Sequence, residues 1–296
     1  MPSGIVLLDK PLGLSSNAAL QRVRRLYGAA KAGHAGSLDP LATGMLPICL
    51  DEATKIAGEI LSSRKRYRFA IALGARTATG DVEGEVIERA AVPPLDPGTL
   101  EAALAGRRGA QRQVPPMYSA LKRDGRPLYE LARAGVSVER EARPIEIYAL
   151  TLLEAGAQRL ELTVECSKGT YVRVLAEDIA AALGTCGHVV LLRREWVAPF
   201  ECEPMHTLEA LEAAGADARA DGLLAPDRPL GHLPGVTLDA AQADRVRHGQ
   251  AVPVSVAATG KARLYDEHGA FMGLGELASG TVQPRRLLAL TGTPPA

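Results

Sequence analysis

The segment Gly33-His34-Ala35-Gly36-Ser37-Leu38-Asp39-Pro40-Leu41-Ala42-Thr43-Gly44 constrains this chain more than any other. It places one carboxylate in a stiff, glycine-rich loop directly before the apolar run Met45 to Leu50. Gly33, Gly36 and Gly44 permit close backbone approach or positive φ, while Pro40 fixes its own φ and pushes Asp39 toward an extended conformation. Such a loop aims its acid instead of merely exposing it. In isolation, an Asp-Pro pair reads as a turn whose aspartate bonds its own backbone. The surrounding sequence has to decide between the two.

Gly4 to Asp9 reads as a short buried strand. A helix follows, capped by Ser15 or Ser16, striped by Leu20, Val23 and Leu26 or Tyr27, and stopped by Gly28. Met45 to Leu50 predicts a strand, Ala53 to Leu61 a short helix, and Lys65 to Gly74 a strand with strict alternation. Tyr67, Phe69, Ile71 and Leu73 share one of its faces, and Arg66 and Arg68 lie on the other. Thr77 to Gly84 reads as a polar turn, Glu85 to Arg89 as a strand and Thr99 to Leu104 as a helix; Pro127 opens another helix that Gly135 closes. Strands are expected at Pro144 to Leu153, Arg159 to Cys166 and Gly187 to Val197. Between the last two, Val172, Leu175 or Ala176, Ile179 and Leu183 keep helical spacing up to Gly184.

This succession predicts an α+β fold with a mixed, largely antiparallel sheet flanked by helices, not a doubly wound parallel sheet. The helix at Thr207 to Ala214 and the proline-rich stretch Pro226 to Pro234 mark a boundary, giving domains at 1–231 and 232–296. In the second, Asp239 caps a helix to about Arg247. Short strands near Val252 to Val256, Ala262 to Tyr265, Phe271 to Leu277 and Gln283 to Leu288 predict a small β-rich module.

With 296 residues, 47% of them hydrophobic, the chain can bury a large core. No stretch has the apolar length of a membrane span and no charged signal-peptide start precedes the first strand, so a cytoplasmic location is expected. Cys49, Cys166, Cys186 and Cys202 form no C-x-x-C pair and are expected to be buried free thiols. The balance of 34 basic against 34 acidic residues argues against adhesion to nucleic acid by net charge. The charges are uneven, however: Arg22, Arg24, Arg25 and Lys31 precede the loop, Arg64, Lys65, Arg66 and Arg68 follow it, and acids gather between Glu201 and Asp221. A local basic surface is compatible with phosphate contacts, and equally with a solvated face.

The loop GHAGSLDPLATGML resembles the signature of the bacterial tRNA pseudouridine-55 synthases, the TruB family. The likeness continues through Leu8-Asp9-Lys10-Pro11-Leu12-Gly13, Lys65-Arg66-Tyr67, Gly74 to Gly84, Val114 to Ala120 and Ser167-Lys168-Gly169-Thr170-Tyr171-Val172-Arg173. It is strong up to Arg193-Arg194 and weak beyond Pro199. The resemblance implies a pseudouridine synthase fold, a C-terminal PUA-like RNA-binding domain, and isomerisation of uridine to pseudouridine at position 55 in the tRNA T loop. It implies no cofactor and no metal, a T stem-loop as partner, and a monomer. Asp39 becomes the nucleophile, and an ionised carboxylate suits attack at base carbon 6 or at the anomeric carbon. Arg173 becomes its counter-charge, although spacing alone also offers it a helical pair with Glu177. Tyr67 becomes the residue that stacks on the base and handles its proton, Tyr171 a second wall and Leu192 an apolar contact. His34 becomes a wedge for an extruded uridine. Without the resemblance, Tyr67 and Leu192 read equally as core and His34 as a loop-fixing group. Lys10 and Pro11 read as structural support, and Gln111 to Lys122 as part of the cleft wall.

Other chemistries find less support. Gly28 to Gly33 has the glycine spacing of a phosphate loop but lacks its lysine, with His34 in that place. The signature of zinc nucleobase deaminases is absent. Ser62 to Lys65 and Ser119 to Lys122 match S-x-x-K without the companion motifs of the serine acyl hydrolases. Two alternatives stay open on sequence: an RNA binder that uses the same cleft without turnover, and the guide-dependent branch of the same superfamily, against which the short N-terminus and lack of lysine-rich tails argue.

Overall fold

The computed structural model describes residues 3–123 and 125–289. Its centre is an α+β layer built on a nine-stranded mixed sheet. The strand order is His206–Thr207, Gly4–Lys10, Ala42–Leu50, Gly187–Val197, Lys65–Leu73, Arg159–Cys166, Arg143–Ala155 and Gly109–Gln113, with Ala32–His34 laid against Ala42–Leu50. Neighbours run antiparallel except at two places: His206–Thr207 lies parallel to Gly4–Lys10, and Gly187–Val197 parallel to Ala42–Leu50. The long strands expected from alternation are present, and so is the mixed, mainly antiparallel character.

The two-residue period of the central strands feeds two cores. Val6, Leu8, Leu46 and Ile48 face one cluster, which the helices Ser16–Leu26 and Val172–Ala182 cover. Ile5, Leu7, Met45 and Cys49 face the other, where Phe271 and Leu274 of the C-terminal strands close over them. Burial on both faces explains the continuous apolar run of Ala42–Leu50. Ser15 caps the first helix by accepting from Ala18 N, and Arg24 and Arg25 sit at its C-terminal end, where the helix dipole favours cations.

A second sheet orders Gly235–Thr237, Gly260–Tyr265, Phe271–Ala278, Thr281–Leu287 and Val252–Pro253 around its own apolar cluster. The helix Ala240–Arg247 packs on it behind a capping box made by Asp239 and Gln242. Lys55 Nζ donates to Leu287 O at 2.8 Å and Lys261 pairs with Glu59, so the sheet is tied to the large layer. Among the described residues no helix is long and apolar enough to cross a membrane.

Several expectations need correction. The segment expected as one helix from Ala53 to Leu61 is a 3-10 turn at Asp51–Ile56 followed by α-helix at Ala57–Leu61. Cys49, Cys166 and Cys186 are buried, but Cys202 is exposed. Arg66 and Arg68 do not offer free charge: Arg66 pairs with Glu165 and Glu195, and Arg68 with Glu161, across neighbouring strands. That face of the sheet is a solvated lattice of ion pairs.

Candidate active site

The loop from Ala35 to Leu41 is pinned on both sides of Asp39. Ser16 Oγ, buried at the start of the first helix, accepts from Leu38 N at 2.7 Å and donates to Leu38 O at 2.8 Å. Gly13 N donates to Pro40 O at 2.8 Å, and the fully buried Lys10 Nζ donates to Leu14 O and, at 3.5 Å, to Pro40 O. On the other side Arg194 Nη2 donates to Gly36 O at 3.0 Å. Gly44 closes the segment with φ of 98°, against the backbone of Arg194. With carbonyls held at Gly36, Leu38 and Pro40, the Asp39 side chain is pre-oriented before any partner arrives.

Asp39 opens onto a cavity of about 640 Å³. The walls include Leu38, Leu61, Tyr67, Tyr171, Val172 and Leu192, with Ser119 to Leu121 along one side. Arg173, the second residue of its helix, places Nη2 3.0 Å from Asp39 Oδ2. The same guanidinium donates to Thr79 O at 2.8 Å and Tyr118 O at 2.7 Å, and stands 3.7 Å from the buried Asp81. The helical pair with Glu177 that spacing allows is therefore not formed. The Asp39 side chain is 38% exposed and lines the cavity. Enclosure by the surrounding protein accordingly pushes its carboxyl above the ordinary aspartate range; Arg173 and Lys10 pull it down, and Asp81 adds to the rise.

Tyr67 lies on its strand opposite Arg194 and is 8% exposed. Burial raises its phenol's pKa above the ordinary tyrosine range, and the Arg194 guanidinium counters that rise. Tyr171 caps the Arg173 helix, its backbone locked by Gln113, whose Oε1 accepts from Tyr171 N at 2.7 Å while its Nε2 donates to Tyr171 O at 3.1 Å. Leu192 pairs with both Ala42 and Phe69, which brings it from the central strand to the cavity wall. Thus Asp39, Tyr67, Tyr171, Arg173 and Leu192, drawn from four separate segments, line one cavity.

His34 does not join them. It pairs with Ile48 at the sheet, outside the cavity lining, with a buried Nδ1 that has no partner among the described residues. Burial and the nearby Arg194 charge lower its pKa, which keeps the imidazole neutral near pH 7. Sequence reasoning gave no role to Arg194 or Asp81 and gave Gln113 only a place in the cleft wall; each is buried and touches a residue of the site. The signal available was the polar character of Arg194 in the apolar strand Val189 to Val197.

The comparisons with known proteins fit this geometry. The pattern of the TruB family pseudouridylate synthase N-terminal domain matches residues 24–172, that of the tRNA pseudouridylate synthase B C-terminal domain residues 173–227, and that of the pseudouridine synthase II TruB C-terminal region residues 234–288. The chain belongs to the TruB family of pseudouridylate synthases. A tRNA pseudouridine synthase B from Chromohalobacter salexigens is 53% identical to it, over 96% of this chain and 94% of that one. One from Aromatoleum aromaticum is 51% identical over 98% and 94%. The fold of this TruB-family enzyme also resembles that in a crystal structure of a Cbf5-Nop10-Gar1 complex, at a TM-score of 0.73 and 22% identity over 97% of this chain and 85% of that one. In this TruB-family chain the loop with Asp39, the strand with Tyr67 and most of the wall from Ser119 fall in the N-terminal match, and Arg173 opens the next.

Proposed function

We propose that this chain isomerises uridine to pseudouridine at position 55 in the T loop of tRNA, as a monomer in the cytoplasm. The observation that carries the reading is Asp39 held at the floor of an apolar-walled cavity with Arg173 3.0 Å from its carboxylate. An attacking carboxylate must be ionised yet shielded from water, and an apolar wall with one fixed guanidinium provides both conditions. The family match over residues 24–172 and the relatives named tRNA pseudouridine synthase B, each covered over 94% of its length, support the substrate class.

In this reading the target uridine swings out of the T loop into the cavity, at a cost of a few kcal/mol, roughly. Its base stacks on Tyr67 between Tyr171 and Leu192. Asp39 forms a transient ester with the sugar or an adduct at carbon 6, the N-glycosidic bond breaks, the base turns, carbon 5 takes the sugar, and the bond to Asp39 breaks to return the free carboxylate. Tyr67 then receives the carbon 5 proton. His34, at the end of the strand that leads into the loop, fills the gap the uridine leaves. Residues 1–231 form the catalytic unit, and the sheet within 232–296 is a PUA-like surface for the rest of the tRNA.

The test is conversion of a T stem-loop transcript by purified protein. Asp39→Asn is expected to abolish pseudouridine formation while RNA affinity stays within about twofold. Wild-type turnover in that variant would remove Asp39 from the chemistry. Tight RNA binding by the wild-type protein without any product would favour a binder.

A further inference from the structure

Arg194 is the largest of the fully buried side chains, 1% exposed, and its partners among the described residues include no carboxylate. It donates from Nε to Met45 O at 2.6 Å and from Nη2 to Gly36 O at 3.0 Å, and its Nη1 stands 3.5 Å from the Tyr67 hydroxyl. Its neighbour Arg193, by contrast, is paired with Asp9. Two more cations are close enough to feel it: Lys10 and Lys65, whose ammonium groups burial drives down to about 8, with Arg194 adding to the effect. A buried guanidinium among other cations with no fixed anion is costly, since carbonyls alone could be satisfied by a neutral donor. The arrangement is incomplete until an anion forms beside it. Beside the two lysines and the neutral His34 imidazole, the groups near that point that could carry a negative charge are the Tyr67 phenol, the Cys166 thiol and Asp39. Arg194 reaches the Tyr67 hydroxyl, it makes no hydrogen bond to Cys166 among the described residues, and Asp39 is already engaged by Arg173.

We propose that Arg194 is a positioning residue for proton transfer: its guanidinium aims the Tyr67 oxygen into the cavity and balances the negative charge that oxygen carries during the reaction. The inference rests on the assignment of that transfer to Tyr67. Arg194 lies in register with Gly44 on one side and Tyr67 on the other, so one side chain fixes the loop of Asp39 and the phenol together. The proton balance closes without a further reactant. The phenol gives its proton to N1 of the released base and becomes phenolate. After the carbon–carbon bond has formed, the carbon 5–hydrogen bond breaks, its electron pair restores the double bond to carbon 6, and the phenolate takes the proton.

The experiment compares wild type, Arg194→Lys, Arg194→Met and Tyr67→Phe on a T stem-loop whose target uridine carries hydrogen or deuterium at carbon 5. For folded variants, Arg194→Met should lower kcat about 100-fold with KM within about twofold, and Arg194→Lys should fall between. Both should show a larger carbon 5 isotope effect than wild type, and a basic limb, where the phenol ionises, displaced to higher pH. 3-Fluorotyrosine at position 67, a more acidic phenol, should restore part of the loss in Arg194→Lys. A residue that only props the loop would slow the attack of Asp39 and leave the isotope effect unchanged, and that result overturns the proposal. If neither variant folds, 15N-arginine labelling of the wild type decides. The buried guanidinium signals must move as the phenol ionises in wild type and not in Tyr67→Phe; no difference overturns the proposal. Wild-type turnover by Tyr67→Phe would sink the Tyr67 assignment and this inference together. An inactive Tyr67→Phe beside unchanged isotope effects in the Arg194 variants would sink this inference alone.

Discussion

Replacing Arg173 by methionine removes, in one step, the donor to four acceptors: Asp39, Asp81, Thr79 O and Tyr118 O. The stability cost comes mainly from Asp81, whose side chain is 3% exposed and whose Oδ1 alone keeps partners, Thr79 Oγ1 and Glu83 N. Breaking a buried pair by deleting one member costs about 3–5 kcal/mol. Asp39 adds little to that figure, because more than a third of its side chain reaches the water of the cavity. For a domain of this size about 2–4 °C of melting temperature is lost per kcal/mol, so a fall of about 6–20 °C is expected in a thermal melt. The catalytic effect has a pH signature. Asp39 must be ionised to attack; burial already holds its pKa above the ordinary range, and Arg173 is the main group pulling it down. Without Arg173 the pKa climbs further, so the acid limb of kcat/KM moves to higher pH and the deficit against wild type narrows as pH rises. Arg173→Lys keeps a charge but not the planar fork, and should recover part of the pH shift while the melting temperature stays low. A constant ratio of wild-type to variant activity across pH, with an unchanged melting temperature, would refute the assignment of Arg173 as the counter-charge.

Gly44→Ala should be among the most damaging single-methyl additions: the new Cβ would stand 2.1 Å from Arg194 O, at a φ of 98°. Parting the two parallel strands there should cost about 3 kcal/mol or more, checked by thermal melt and soluble yield; a wild-type melt would contradict it. In thiol labelling of the native protein, Cys202 alone should react quickly. Burial pushes the Cys49 thiol up to about 12 and Cys166 up to about 11, and Cys186 is buried. A second fast thiol would contradict the packing.

The strands Arg159–Cys166 and Gly187–Val197 and the helix Ala240–Arg247 were legible to the residue, because alternation, helical spacing and an Asp cap are local signals. The edge pieces Ala32–His34, Gly109–Gln113 and His206–Thr207 were not: they are short and largely polar, and only pairing with a neighbour makes them strands. The same limit governed the site. Asp39 stood out because proline and glycine constrain it locally, and Tyr67, Tyr171, Arg173 and Leu192 followed from likeness to a family. Arg194 acts through contacts spanning 127 to 158 positions of sequence, and Asp81 through its contact with the distant Arg173, where no periodicity points. Arg66 and Arg68 misled for the complementary reason, since the glutamates that neutralise them lie on other strands.

The equal count of acids and bases now has a structural meaning. On one face of the central sheet, Arg66 and Arg68 are cancelled by Glu161, Glu165 and Glu195, and Arg159 shares Glu161. On the other, the cavity is lined by Lys65, Arg143, Lys168, Arg173 and Arg194 against the single carboxylate of Asp39. Low-dielectric walls around a concave site focus such a field, so a neutral chain can present a locally positive mouth. Lys168 and Arg143 are the two whose charge is least committed: Lys168 meets only the Ser62 hydroxyl, and no carboxylate pairs with Arg143 among the described residues. A polyanion entering there meets attraction at the rim and, deeper in, a carboxylate already held by Arg173. The neutral total therefore says nothing against an RNA substrate; what matters is that acids and bases cancel on one face of the sheet while cations are in excess around the cavity.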